Sequence, residues 1–212
     1  MYRPDISDVE VSMTRKSEIL EVAILGTLQD APLHGYELRK RISTILGALR
    51  TLSYGSLYPA LRYLTQRGLI TADESESRAV ANPRGRIVYH LTSDGKDRLH
   101  ELLAQAGPSS WEDEGFGVRL AFFAQTEKAV RLRILEGRRS RMEERLEVLR
   151  DTLARRRERL DAWTMELQRH GEESVEREVR WLSELIDNER ASGTSSKTGR
   201  GAQAPRPTSE KE

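Results

Sequence analysis

A chain of 212 residues with 37% hydrophobic and 33% charged side chains can hold one domain plus an extension, and its low apolar share points to long solvated helices around a modest core. The formal net charge of +1 excludes a general polycation, so any nucleic-acid surface must arise from local charge. The absence of cysteine excludes disulfides and thiolate metal sites, and His34, His90, His100 and His170 show no ligand spacing, so no cofactor or metal is expected.

In chain order, residues 1–12 read as a polar lead, 13–107 as a domain of mixed helix and strand patterns, 108–190 as a helical arm, and 191–212 as a tail too poor in apolar residues to offset chain entropy. No signal-peptide core and no apolar run near the roughly 18 residues of a membrane span is visible, so a cytoplasmic protein without a membrane partner is expected. Ile19, Leu20, Ala23, Ile24 and Leu28 form a wide helical face that ends before Pro32. Leu33 to Leu46 reads as a second helix. A third runs from about Gly55 to Gln66, with Leu57, Tyr58, Leu61 and Leu64 as its buried stripe and Gly68 as its C-terminal cap. Pro59 removes a backbone donor and belongs in the first turn or at a kink. Leu69 to Asp73 and Arg86 to Leu91 predict a two-stranded hairpin, and Thr92 or Ser93 caps a helix through Gln105. Three helices followed by a hairpin predict a mainly α chain built on a winged helix-turn-helix, with a C-terminal helical, coiled-coil-like dimerisation domain.

Charge concentrates in the second and third helices. Between Ala31 and Ile70 stand Arg39, Lys40, Arg41, Arg50, Arg62 and Arg67 against the single acid Glu37, a footprint suited to a phosphate backbone. Arg84 and Arg86 add charge beside the hairpin tip. The third helix opens with Ser53, Tyr54, Gly55 and Ser56, where free backbone N–H groups and short hydroxyls can meet phosphates or base edges. Arg62 follows about two turns on. Some of these residues keep a second reading: Tyr58 and Tyr63 as packing residues, Arg67 as a complement to the helix C-terminus, His34 as a capping or packing residue.

In the arm, Leu132, Leu135, Arg139, Met142, Leu146, Leu149, Leu153, Arg156, Leu160, Trp163 and Leu167 follow a heptad spacing, which predicts one helix from Glu127 to Arg169 with a coiled-coil seam. Such a helix needs a partner: a second chain, or a returning helix after Gly171 carrying Val175, Val179, Leu182 and Ile186. Arg139 and Arg156 either snorkel outward or pair with acids across the interface. The apolar run Phe116, Val118, Leu120, Phe122 and Phe123 is expected to pack against a second chain. Trp111, Phe116, Phe122 and Phe123 also form a candidate aromatic effector pocket, with dimer-core packing as the alternative.

Three stretches make the chain resemble the PadR family of bacterial transcription regulators: Leu33-His34-Gly35-Tyr36-Glu37-Leu38, Tyr54-Gly55-Ser56-Leu57-Tyr58-Pro59-Ala60-Leu61 continuing through Gly68-Leu69-Ile70, and Tyr89-His90-Leu91-Thr92-Ser93-Asp94-Gly95. The match covers about residues 15 to 105, and the arm is similar to the longer-armed branch. The resemblance implies a dimer on a palindromic operator in double-stranded DNA, usually repressing, with the third helix in the major groove and release by a small aromatic or hydrophobic effector. It places Tyr36, Tyr54, Ser56, Tyr58 and Arg62 in the DNA-facing region. The long wing departs from the family pattern through Asp73, Glu74 and Glu76, with Arg78, Arg84 and Arg86 as compensation. Expected DNA contacts are thus Tyr36, Arg39, Lys40, Tyr54, Ser56, Tyr58, Arg62, Arg84 and Arg86. Expected dimer contacts are Leu132, Leu135, Met142, Leu146, Leu149, Leu153, Leu160, Trp163, Leu182 and Ile186. No phosphate-binding glycine loop or convergent acid/base set supports an enzyme. The rival functions are a coiled-coil adaptor for protein partners and a sequence-general DNA-packaging protein.

Overall fold

The computed structural model describes residues 6–46, 54–73, 87–113, 115–156 and 161–192. Helix α1 (Ile6–Asp30) is followed by the short strand β1 (Leu33–His34), α2 (Gly35–Leu46), α3 (Tyr54–Gln66), β2 (Ile70–Asp73), β3 (Val88–Leu91) and α4 (Ser93–Ala104). Then come a 3-10 turn (Pro108–Ser110), α5 (Phe116–Ala121), a second 3-10 turn (Phe123–Gln125), α6 (Lys128–Arg156) and α7 (Ala162–Ala191). The helix α1 begins at Ile6, inside the segment read as a polar lead.

The wing has three strands, not two. The order is β1-β3-β2, all antiparallel, with Leu33 opposite Tyr89 and Ile70 opposite Leu91. The pairing gives the central strand β3 partners on both edges and anchors the N-terminus of α2 beside it. One apolar core joins this sheet to α1–α4: Ile24, Leu25, Leu38, Ile42, Leu57, Leu61, Ile70 and Leu102 are almost wholly buried. Side chains three and four residues apart on each helix supply it.

Caps fix the ends that matter. Gly68 takes φ +70°, a left-handed conformation that costs a side-chain-bearing residue, and the Gly68 and Leu69 N–H groups donate to the Thr65 and Leu64 carbonyls. Thr92 caps α4: its Oγ1 accepts from the Gly95 N–H at 3.0 Å and donates to the Leu69 carbonyl at 2.9 Å, tying α4 to the base of the wing. Pro59 lies inside α3 as its sixth residue rather than in its first turn.

The chain divides into two compact units after Arg138, not at residue 107, because α5 and the turns around it pack on α1 and α2. Phe122 belongs to the main core: a Cβ added at Gly26 of α1 would fall 2.5 Å from its ring. Phe116 is buried too. The run from Phe116 to Phe123 is therefore largely occupied within its own chain, which corrects the expectation that it waits for a second one. Its hydrophobicity is what the sequence displays; the glycine that receives Phe122 carries no such signal.

The second unit is a helical hairpin. The predicted single helix from Glu127 to Arg169 is two helices, α6 and α7, and the reversal falls ten residues before the expected turn, leaving Gly171 inside α7. Asp161 sets the new start. Its Oδ1 accepts from the Trp163 and Thr164 N–H groups at 3.0 Å each, and the Thr164 hydroxyl donates to Oδ2. These bonds stabilise the carboxylate and hold its pKa below the usual value, with the Thr164 hydroxyl as the largest cause. The hairpin is tied by Arg150 of α6, which donates to Glu172 at 2.8 Å and to Glu176 on α7. Arg139 pairs with Glu143 at 3.5 Å on its own helix. Leu135, Met142, Leu182 and Ile186, expected as dimer contacts, are already buried in the single chain, while Leu132, Leu146, Leu149 and Leu153 are half-buried. Trp163 and Leu167 stand out at 84% and 67% exposure. Leu160 and the Arg156 side chain lie outside the described residues, as do residues 193–212. No described helix is long and apolar enough to cross a membrane.

Candidate nucleic-acid interface

Helices α2 and α3 each turn one stripe inward and leave the opposite face in solvent. In α2, Leu38 and Ile42 are fully buried, so Tyr36 and Lys40, about half a turn of the helix away, face outward; Tyr36 is 69% exposed. In α3, Leu57, Leu61 and Leu64 form the inward stripe. Arg62 then points away from the core, with Tyr58 and Tyr63 on its flanks at 40% and 50% exposure and Ser56 exposed nearly two turns earlier. A large aromatic left this open on a helix without a single acid is an expected ligand for phosphates and base edges.

The cationic groups are not equivalent. Arg41 lies 3.6 Å from Glu37 on its own helix, so much of its charge is locally offset. Arg67 turns back over the Tyr63 ring, 5.6 Å from its centroid, and reaches Glu21 of α1 at 4.0 Å. This favours the structural reading of Arg67. Lys40 and Arg62 stand exposed on the outward face; Arg39 is half-buried at its edge.

Tyr89 and Glu21, neither of them among the expected DNA contacts, hold this face in place. Tyr89 of β3 is buried beneath it. Burial, and then its neighbour Tyr58, push the Tyr89 phenol above its usual pKa, with the Arg62 charge opposing. Tyr58 and Tyr89 also both pack on Gly35, each 3.4 Å from where its Cβ would sit. Glu21 joins α1 to the end of α3 through Arg67 and to α4 through Arg98, whose Nε donates to it at 2.9 Å. Its position on the amphipathic face of α1, among apolar neighbours, was the available signal. His34 lies in β1 opposite Val88, a structural position.

Tyr54 opens α3, but its side chain, like Arg84 and Arg86, lies outside the described residues.

The four aromatic residues expected to line an effector pocket are placed as follows. Phe122 sits against α1, Trp111 lies on Gly137, Phe116 lies under Arg138, and Phe123 is half-buried. A narrow cleft, with a cavity volume of about 20 Å³, lies elsewhere in the first unit, lined by Glu18, Ile19, Val22, Ser109, Glu112 and Arg119 among others. Arg119 is nearly buried there. Its Nη1 donates to the Leu102 carbonyl and its Nη2 to Glu18 at 3.1 Å. Burial pulls its pKa down and Glu18 opposes that.

Residues 24–101 match the family model described as "Transcriptional regulator PadR-like family". The chain is 31% identical over 90 residues to the "Negative transcriptional regulator PadR" of Bacillus subtilis (strain 168), covering 42% of this chain and 48% of that protein. It is 35% identical over 82 residues to the "Transcriptional regulator YqjI" of Escherichia coli (strain K12), covering 39% of this chain and 36% of that protein. The chain thus spans less than half the length of either relative. Among solved structures, Bacillus subtilis PadR in complex with operator DNA aligns over 81% of this chain and 99% of that one, at 22% identity and a TM-score of 0.39. The same protein with p-coumaric acid aligns over the same shares at 22% identity and a TM-score of 0.37.

Proposed function

We propose, from a chain that belongs to the PadR-like family of transcriptional regulators through residues 24–101, that it binds double-stranded operator DNA with α3 in the major groove. The observation that carries this reading is the outward face of α2 and α3, where Tyr36, Lys40, Ser56, Tyr58, Arg62 and Tyr63 are exposed together while the opposite stripes are fully buried. The protein acts as a homodimer on a palindromic site. Support comes from α7, where Trp163 and Trp181 are 18 residues, or five turns, apart and so share a face with Leu167 between them; all three are exposed. As a repressor it is released by a small effector, a reading that rests on the family resemblance.

Selection of binding sites from random DNA, followed by titration of the selected duplex, tests this. The selected site is expected to bind at least about 10³-fold tighter than random DNA at equal salt. Equal affinity for both would favour a packaging role, and no binding would leave the adaptor reading.

Arg62→Ala is expected to weaken operator binding by about 1–3 kcal/mol and to relax the preference at one base position. Lys40→Ala is expected to weaken all sequences alike and to lower the slope of log affinity against log salt by about 1. Titrations at several salt concentrations separate the two effects, and a change below a few tenths of a kcal/mol removes the residue from the contact set.

A further inference from the structure

Tyr89, on the central strand β3, stands opposite Leu33 of β1 and Ala72 of β2 and is only 6% exposed. It belongs to the main core, yet the edge of its ring reaches the two DNA-facing helices. Its Cε2 lies 3.4 Å from where a Cβ of Gly35 would sit, and Tyr58 Cε1 lies 3.4 Å from the same point, with the Tyr58 hydroxyl oxygen at 3.6 Å. The two ring edges are therefore within twice that distance of each other. Gly35 is the first residue of α2 and Tyr58 the fifth of α3, so the sheet, the start of α2 and the middle of α3 meet at one glycine. The polar ends meet there too. Burial is the largest influence on the Tyr89 phenol and raises its pKa; Tyr58 adds to this and the Arg62 charge opposes it. Tyr58 and Arg62 are one helical turn apart on a shared face of α3.

Tyr58 is thus held by one half and left in solvent by the other, at 40% exposure. An aromatic side chain with open surroundings samples several rotamers and loses that freedom on binding, which lowers affinity by about two- to tenfold. A side chain whose rotamer is already fixed by packing escapes that loss. The difference matters most at base edges, where donors and acceptors must line up, and least at phosphates, which attract any nearby cation.

We infer that Tyr89 is a positioning residue for operator discrimination: its buried ring, sharing the Gly35 seat with Tyr58, fixes the direction from which the Tyr58 side chain meets a base. This rests on the proposed operator reading. Tyr89 acts through Tyr58 and not by touching DNA.

The test uses the full chain, the selected operator and a random duplex of equal length at the same salt. Tyr89→Leu removes the ring. It is expected to lower the ratio of the two affinities about fivefold or more, while the affinity for the random duplex and its salt dependence stay at wild-type values. Tyr89→Phe keeps the ring and should hold the ratio within about twofold of wild type. In a Tyr58→Ala background, which itself lowers the ratio, Tyr89→Leu should lower it by less than about twofold more. A merely structural role would reduce the folded fraction, weaken both duplexes alike and add in full to Tyr58→Ala. The proposal is overturned if Tyr89→Leu keeps the wild-type ratio, or if its loss persists in full once Tyr58 is truncated. Should Tyr89→Leu fail to fold by circular dichroism, Tyr89→Met, whose unbranched side chain fills irregular space, is read by the same two criteria. Failure of the operator reading looks different: wild type itself then prefers neither duplex.

Discussion

Gly95→Ala is expected to destabilise the winged-helix unit by about 3 kcal/mol or more in urea unfolding, near the upper end for overpacking a core. Gly95 is the third residue of α4, and it faces the base of the wing. A methyl group there would fall 2.0 Å from the Leu69 carbonyl oxygen and 2.7 Å from Leu91 Cδ1. The carbonyl cannot simply swing away, because it accepts from the Thr92 N–H at 3.2 Å and shares the Thr92 hydroxyl proton, at 2.9 Å, with the Gly68 carbonyl at 2.8 Å. The Thr92 hydroxyl in turn accepts from the Gly95 N–H. Cap, strand end and helix start form one closed set, and a side chain at its centre displaces all three. Gly107→Ala is the control. No atom lies within 4 Å of its would-be Cβ and its backbone, at φ −90°, suits alanine, so its effect should be neutral or slightly stabilising. A loss below about 1 kcal/mol at Gly95 would contradict this packing. The Leu91-Thr92-Ser93-Asp94-Gly95 stretch that contributed to the family resemblance is, on this account, a packing motif and not a DNA-reading one.

The second large effect concerns assembly. The double substitution Trp163→Ser with Leu167→Ser is expected to weaken self-association by about 10²-fold or more, since each side chain contributes roughly 1.5–3 kcal/mol if a partner chain buries it fully. Folding of the single chain should be unaffected, because both side chains are in solvent there. Sedimentation velocity over a range of concentrations reads the first result and a thermal melt the second. An unchanged dimer would move the interface away from α7. A matching change at Met142 or Leu182 would act differently: these are buried within the chain, so their truncation lowers stability first.

The parts of the fold that the sequence displayed are those with a local cause. The period of Leu57, Leu61 and Leu64 marks α3, Gly68 marks its end, the alternation at Tyr89 marks β3, and Thr92 marks the next helix start. What stayed hidden depends on distant partners. Leu33 and His34 are too short a strand to show a period, and only their pairing with β3 makes them one. In the arm, the heptad spacing runs on through Leu160, Trp163 and Leu167 although the chain reverses between α6 and α7, so periodicity alone misplaces the turn that the Asp161 cap marks. Of the candidate DNA face, Tyr36 and Lys40 on α2 and Ser56, Tyr58 and Arg62 on α3 are each exposed, as the inward stripes of the two helices require. The four aromatic residues of the expected pocket are close in sequence, but Phe122 is drawn to Gly26 of α1 whereas Trp111 and Phe116 lie against the neighbouring Gly137 and Arg138 of α6, a division that periodicity does not display.

The stoichiometry of the complex on its selected duplex decides whether two chains read one site. Sedimentation equilibrium of the full chain with that duplex should give two chains per duplex, and a duplex with one half-site scrambled should lose most of the affinity at the same salt. One chain per duplex, or equal binding to the scrambled site, would contradict the account.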